Sequence, residues 1–316
     1  MRKLYSLLIV LVVSVTVSAQ TLIYSNNFND GVGTATIVGN GQIETTATSG
    51  FGSVFHNSAG GEAIRSNYLL LPNTVFADLQ SSGNKALSIS FWVNKGTSVV
   101  DYKWTPLFSA YGAAPVDHKN SWPMMILQSR LIAQVNCAGW TDFSAADNVT
   151  ATNKESSIWL DDAAWHFYTA TFTETSVKIY VDGVVQNSWT LSGTDGHSVN
   201  GLFTNGSELT YICLGGNQAW DWGDFDAAFM YDDLAIYSSA LTVEQINGII
   251  AAKMSTAVNQ INLDPSSKLI GEELFNISGA KVSSDFNSLK PGIYIKRSVY
   301  SNGVVKSTKI VKSNNR

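Results

Sequence analysis

Residues 165–183 read Trp-His-Phe-Tyr-Thr-Ala-Thr-Phe-Thr-Glu-Thr-Ser-Val-Lys-Ile-Tyr-Val-Asp-Gly, and they limit the fold tightly. Phe167, Thr169 and Thr171 alternate with Tyr168, Ala170 and Phe172. That period of two sends successive side chains to opposite faces of a strand. A polar Thr-Glu-Thr-Ser turn follows, and then Val177, Ile179 and Val181 alternate with Lys178, Tyr180 and Asp182. Asp182-Gly183 supplies a tight turn, since both residue types enter the left-handed backbone region such turns need. The segment is a β-hairpin, and a second clear segment, Tyr231-Asp232-Asp233-Leu234-Ala235-Ile236-Tyr237 running on to Leu241, follows it along the chain.

The same pattern of short strands and Gly, Asn, Asp and Ser turns holds from Leu22 to about Ala251. The main expected strands are 21–28, 66–71, 86–95, 105–111, 124–127, 131–137, 165–173, 176–181, 210–214 and 229–237. In the third of these, Ile89, Phe91 and Val93 share one face and Trp92 takes the other. Strand upon strand with little helix predicts an all-β, two-sheet antiparallel sandwich. One helix is expected after Leu241. Thr242 and Gln245 have the spacing of a capping box, and Val243, Ile246, Ile249, Ile250 and Met254 form an apolar stripe.

Both ends of the chain carry an address. Arg2 and Lys3, an apolar run from Leu7 to Val13, and Val17-Ser18-Ala19 have the form of a secretory signal peptide cleaved near Ala19. Gln20 rather than Cys follows the site, which disfavours a lipid anchor, and no second apolar run reaches membrane length. Past Met254 the composition turns polar, so 255–262 reads as a linker between a domain at 20–254 and a small C-terminal β-sandwich-like domain at 263–316. That tail contains four short strand-like runs. The net charge of −5 argues against a nucleic-acid partner. Cys137 and Cys213 both sit in expected strands, and the sequence leaves open whether they pair or stay as buried thiols.

Asn27-Phe28-Asn29-Asp30, Ser88–Val93, Trp165-His166, Lys178–Gly183, Leu214-Gly215-Gly216 and Asp232–Tyr237 with Ala240-Leu241-Thr242 occur in a distinctive order and spacing. On these residues, 22–254 resembles the LamG-like, concanavalin A-like jelly roll of bacterial surface proteins. The resemblance implies a structural calcium ion joining the first and last strands, with Asp30 and Asp232 or Asp233 as its ligands. Hard oxygen ligands on loops suit calcium, though Asp30 can equally shape a turn and Asp233 bond to backbone. The tail, through Phe275–Val282, Leu289–Ile295 and Lys309–Lys312, resembles the C-terminal sorting domain of the type IX secretion system of Bacteroidetes-like bacteria. That implies the secretion machinery as a partner, and display on or release from the cell surface.

Related jelly rolls include retaining glycosidases, which need two carboxylates about 5 Å apart. They present Glu-x-Asp-x-x-Glu or a near variant, and the glutamates here are scattered. Asp161-Asp162 and Asp232-Asp233 are adjacent pairs, which a regular strand would point to opposite faces. His56, His118, His166 and His197 lack ligand-like spacing, and Gly-x-Ser-x-Gly and zinc motifs are absent. Non-catalytic carbohydrate binding is the positive reading. Sugar rings stack their C–H faces on aromatics, while Asn, Asp and Gln take the hydroxyls. Asn217, Trp220, Asp221, Trp222 and Asp224 offer that mixture in one loop, and Trp104, Tyr111, Trp122 and Trp140 stand in other loop-like stretches. A loop that buries its own aromatics is the competing account of Trp220 and Trp222. A glycoside hydrolase and a protein-binding surface component are the alternative functions.

Overall fold

The computed structural model describes residues 21–57, 67–96, 105–112, 123–136, 140–142, 149–151, 158–191, 199–216, 226–259, 267–276, 280–282, 286–301 and 305–312. Its strands are β1 (Leu22–Asn26), β2 (Thr36–Val38), β3 (Gln42–Thr45), β4 (Ser53–His56), β5 (Tyr68–Leu71), β6 (Ala86–Asn94), β7 (Pro106–Tyr111), β8 (Met124–Gln128), β9 (Ile132–Asn136), β10 (Trp140–Asp142), β11 (Val149–Ala151), β12 (His166–Thr173), β13 (Ser176–Val181), β14 (Val184–Thr190), β15 (Tyr211–Leu214), β16 (Met230–Tyr237), β17 (Leu269–Asn276), β18 (Gly292–Tyr300) and β19 (Val305–Lys312). The helices are α1 (Val75–Ser81), α2 (Asn200–Thr204) and α3 (Val243–Asn259).

Among the described residues the strands make two antiparallel sheets and a third small one. The first runs β11-β14-β13-β12-β6-β16-β4-β3, with β1 also on β16. The second runs β10-β9-β8-β7-β15-β5-β2. The hairpin read from 165–183 is β12 and β13, in register from Tyr168↔Val181 to Thr173↔Ser176. Asp182 and Gly183 sit at φ 52° and 77°, and Val181 pairs with Val184 across them. All ten expected strands are present. The short strands β2, β3, β4, β10, β11 and β14 add to them.

The alternation sorts side chains into three apolar layers. Between the sheets lie Ile89, Phe91 and Val93 of β6, Tyr168, Ala170 and Phe172 of β12, and Phe108, Met125 and Ile212 from the second sheet. Each large side chain so buried stabilises by roughly 1.5–3 kcal/mol. Trp92 lies on the other face of β6, as its parity requires, with Phe51, Phe167 and Ile246. That layer is covered by α3. Its capping box forms: Gln245 N donates to Thr242 Oγ1 at 3.3 Å, and Thr242 N donates to Gln245 Oε1 at 2.9 Å.

The expected stripe of α3 is only partly inward. Ile246 is buried and Ile249 and Ile250 pack beside it, whereas Val243 and Met254 are 40% and 41% exposed because they lie at the stripe's ends, beyond the sheet. The helix also runs through Asn259, into the stretch read as a linker. In the tail, β17, β18 and β19 form one three-stranded antiparallel sheet. The first expected run, 268–270, joins the start of the second as the single strand β17.

Candidate functional site

Of the aromatic and polar residues expected to meet a sugar, Trp104, Trp122, Asn217, Trp220, Asp221, Trp222 and Asp224 lie outside the described residues. Trp140 opens β10, opposite Asn136. Trp104, Trp122 and Trp140 adjoin or open strands of the seven-stranded sheet, and 217–224 follow its strand β15. Tyr111↔Met124 and Tyr211↔Tyr111 set one end of that sheet, and Pro106↔Gln128 and Leu214↔Phe108 the other. The strand ends next to Trp104 and to 217–224 therefore share one end of the sheet. Those next to Trp122 and Trp140 share the opposite end.

Between these ends, the face of the seven-stranded sheet turned away from the sandwich interior is itself aromatic and polar. Parity builds it: Tyr211 and Cys213 alternate with the inward Ile212 and Leu214, and Met124 and Ile126 with the inward Met125 and Leu127. Tyr68, Tyr111 and Tyr211 gather there. The Tyr68 and Tyr211 rings are 6.0 Å apart and edge-on, and those of Tyr111 and Tyr211 are 6.4 Å apart and stacked. The Tyr68 and Tyr211 hydroxyls bond to each other. Burial raises the pKa of both phenols, so they act as neutral hydrogen-bonding groups. Tyr211 is half-buried and the other two are buried. Toward the opposite end of the sheet the buried Gln128 Nε2 donates to Gln134 Oε1 at 3.2 Å, and Arg130 Nε donates to Gln128 Oε1 at 3.1 Å. These groups present hydrogen bonds rather than acid–base chemistry. Cys213 on this face is a buried free thiol, its pKa raised by burial and by the charge of Asp226. Cys137 lies outside the described residues.

At one end of this face is a buried polar knot that the sequence reading did not single out. Asn57 Nδ2 faces three carbonyls, Asn67 and Ala227 at 2.9 Å and Gly215 at 3.2 Å. Asn67 N donates to Asp226 Oδ2 at 2.9 Å. Ala227 N donates to Gly215 O at 2.7 Å. The residues on either side of 217–225 are thereby tied together. Gly216 is required here, since a Cβ on it would lie 2.6 Å from Tyr68 Cβ and 2.9 Å from Asn67 O. A sequence signal existed in Leu214-Gly215-Gly216, but the partners are up to 170 residues apart.

The expected calcium ligands lie elsewhere, at a cavity of about 810 Å³ walled by the β1 turn, β16 and α3. Asp30 and Asp233 line it, with Asn26, Asn29 and Lys253. Contrary to the expectation for adjacent residues on a strand, Asp232 and Asp233 turn to one point. The β16–β6 register shifts between Asp232 and Ala235, and Asp233 has φ 45°. A bulge adds a residue and re-aims the side chains. Lys253 Nζ then lies 2.6 Å from Asp232 Oδ2 and 2.8 Å from Asp233 Oδ2. Asp232 Oδ1 accepts from Asp233 N at 2.8 Å. Burial, reinforced by the charge of Asp233, pushes the Asp232 carboxyl up to about 7 against the pull of Lys253. Calcium takes six to eight oxygens. Both Asp232 oxygens are already engaged within the chain, and among the described residues no three His, Cys, Asp or Glu side chains gather as a metal shell. As they stand, these groups do not fit a divalent cation.

Residues 60–247 match the family model described as the concanavalin A-like lectin/glucanases superfamily. Among solved structures, domain 4 of AbnA, an extracellular GH43 arabinanase of Geobacillus stearothermophilus in complex with arabinotriose, is 17% identical. The match covers 73% of this chain and 99% of that one, with a TM-score of 0.46. The binding domain of botulinum neurotoxin DC in complex with SialylT is 14% identical over 87% of this chain and 68% of that one, at TM-score 0.41. The Trypanosoma rangeli sialidase in complex with the inhibitor DANA is 14% identical over 68% and 28%, at TM-score 0.36. No curated protein matches the chain. Among the described residues no helix is long and apolar enough to cross a membrane.

Proposed function

The chain belongs to the concanavalin A-like lectin/glucanases superfamily, and from that premise we propose that it is an exported, non-catalytic carbohydrate-binding protein displayed at or released from the bacterial surface. The observation that supports this reading is the outward face of the seven-stranded sheet. There the half-buried Tyr211 ring, stacked on Tyr111 and hydroxyl-bonded to Tyr68, offers a stacking surface beside fixed phenolic hydroxyls. A sugar needs that pairing of an apolar plate with fixed hydrogen-bonding groups. The hydrolase reading would call for two carboxylates facing each other, whereas the carboxylate placed at this face, Asp226, is buried and accepts from Asn67 N. The leader at 1–19 supports export, and the tail, with its similarity to type IX sorting domains, supports passage through that machinery.

Affinity electrophoresis in gels containing neutral or acidic polysaccharides tests the binding. Retardation by at least one polysaccharide is expected, with Tyr211→Ala and Trp220→Ala each weakening it by roughly fivefold or more, a stacking contact being worth on the order of 1 kcal/mol. Unretarded migration in every gel, or unchanged retardation in both variants, would remove the proposal.

A further inference from the structure

We infer that Lys253 is the resident cation of this sandwich, its ammonium standing where the family resemblance would place a divalent metal, so that the carboxylates of β16 are balanced without calcium. Three observations carry this. The ammonium is within hydrogen-bond distance of both carboxylates of the β16 bulge, at 2.6 and 2.8 Å. It is enclosed: the Lys253 side chain is 9% exposed and that of Asp232 0%. It also lies 4.8 Å from the centre of the Phe51 ring, which attracts a cation through its π face.

The geometry explains why the place is taken. β16 changes its outer neighbour at the bulge, pairing with β4 through Met230 and Tyr231 and with β1 through Leu234 to Tyr237. The two acidic side chains emerge at that change of partner, and two carboxylates so close repel unless a positive charge lies between them. α3 runs across this point and delivers Lys253 from the same face that carries Ile246, Ile249 and Ile250 onto the sheet. One helix thus supplies both the apolar cover and the counter-charge. A metal would have to expel a buried ammonium to reach the Asp232 carboxylate, and would then stand beside that same positive charge. The inference concerns the frame of the domain and is independent of whether a sugar binds on the opposite sheet.

Thermal unfolding of the full chain in millimolar calcium chloride and in chelator tests it, with Lys253→Met beside the native protein. The native midpoint is expected to be the same in both solutions. The Lys253→Met midpoint in chelator is expected to fall by roughly 6–20 °C, because removing one partner of a buried ion pair leaves uncompensated charge. A native midpoint that rises with calcium and falls with chelator would overturn the inference, as would a Lys253→Met midpoint equal to the native one. If Lys253→Met yields no folded protein, Lys253→Arg and Asp233→Asn decide. Both are expected to fold and to ignore the chelator, and calcium dependence in either one overturns the assignment.

Discussion

His166 Nδ1 lies 2.7 Å from Asp182 Oδ2, at the open end of the hairpin that defines the fold. The other oxygen of Asp182 accepts from Phe167 N at 2.8 Å, and His166 Nε2 meets Asp162 Oδ1 at 3.0 Å. Asp182 is thus a turn residue at positive φ and the clamp that fixes the start of β12. Desolvation pulls the His166 pKa down, but the hydrogen bonds and charges of Asp182 and Asp162 outweigh it and the net shift is upward. The sign follows from linkage. With the folded pKa above the unfolded one, the stabilising effect is fully present below the unfolded value and is lost as pH rises through the folded value. The unfolding midpoint should therefore contain a component that declines on going from about pH 6 to pH 8, and His166→Gln should abolish it. A pH profile unchanged by the substitution would refute this coupling.

The reciprocal bonds of Thr242 and Gln245 start the helix that covers the outer face of the first sheet. Thr242→Ala removes the oxygen that accepts the Gln245 N–H, at a typical cost of about 1 kcal/mol for a lost cap. Urea unfolding should show that loss as a lower midpoint with an unchanged slope. A change in slope would mean that the substitution alters how much of the chain is buried, rather than one helix end.

The two predictions above rest on features readable from the sequence, and the reason is physical. The Asp182-Gly183 turn, the alternation that puts Trp92 opposite Phe91, and the capping box are local, each set within a few residues. The Asn57–Asn67–Asp226 knot is not local, since its bonds join residues 10 to 170 positions apart. Neither is the meeting of Lys253 with Asp232, which required a bulge that breaks the strand period on which the sequence argument about adjacent aspartates relied. The strands β2, β3 and β4 span only three or four residues each and lack the unbroken apolar run that marks the equally short β5 and β15.

Two glycines near α3 should respond in opposite directions. Gly183 has φ 77°, and a Cβ on it would lie 2.1 Å from Asn247 Oδ1 of the helix. Gly183→Ala should therefore destabilise by about 1–2 kcal/mol from the left-handed backbone alone, and by more because Asn247 must move. Gly248, one residue further along α3, is exposed with open space around its added Cβ. Gly248→Ala should stabilise by up to about 1 kcal/mol, the helix-propensity difference. Chemical unfolding of both variants checks the pair, and a stabilising Gly183→Ala would contradict the close approach of helix and turn.

Asn57 connects the frame to the proposed binding loop. Its amide serves the carbonyls of Asn67 just before β5, Gly215 just after β15, and Ala227 in the segment that follows 217–225. All three lie in a buried setting, where an acceptor that loses its donor bears a desolvation cost of about 1–3 kcal/mol. Asn57→Ala should lower stability by that order. If its effect stays at the loop base, limited proteolysis should cut within 217–225 sooner than elsewhere, while β12 and β13 keep their protection in amide exchange. Polysaccharide retardation should weaken in the same variant, because Trp220 and Trp222 lie in the loop whose ends Asn57 ties. A variant that loses stability yet keeps both its cleavage pattern and its retardation would separate the knot from the binding loop, and leave it a purely structural fastening of the two sheet edges.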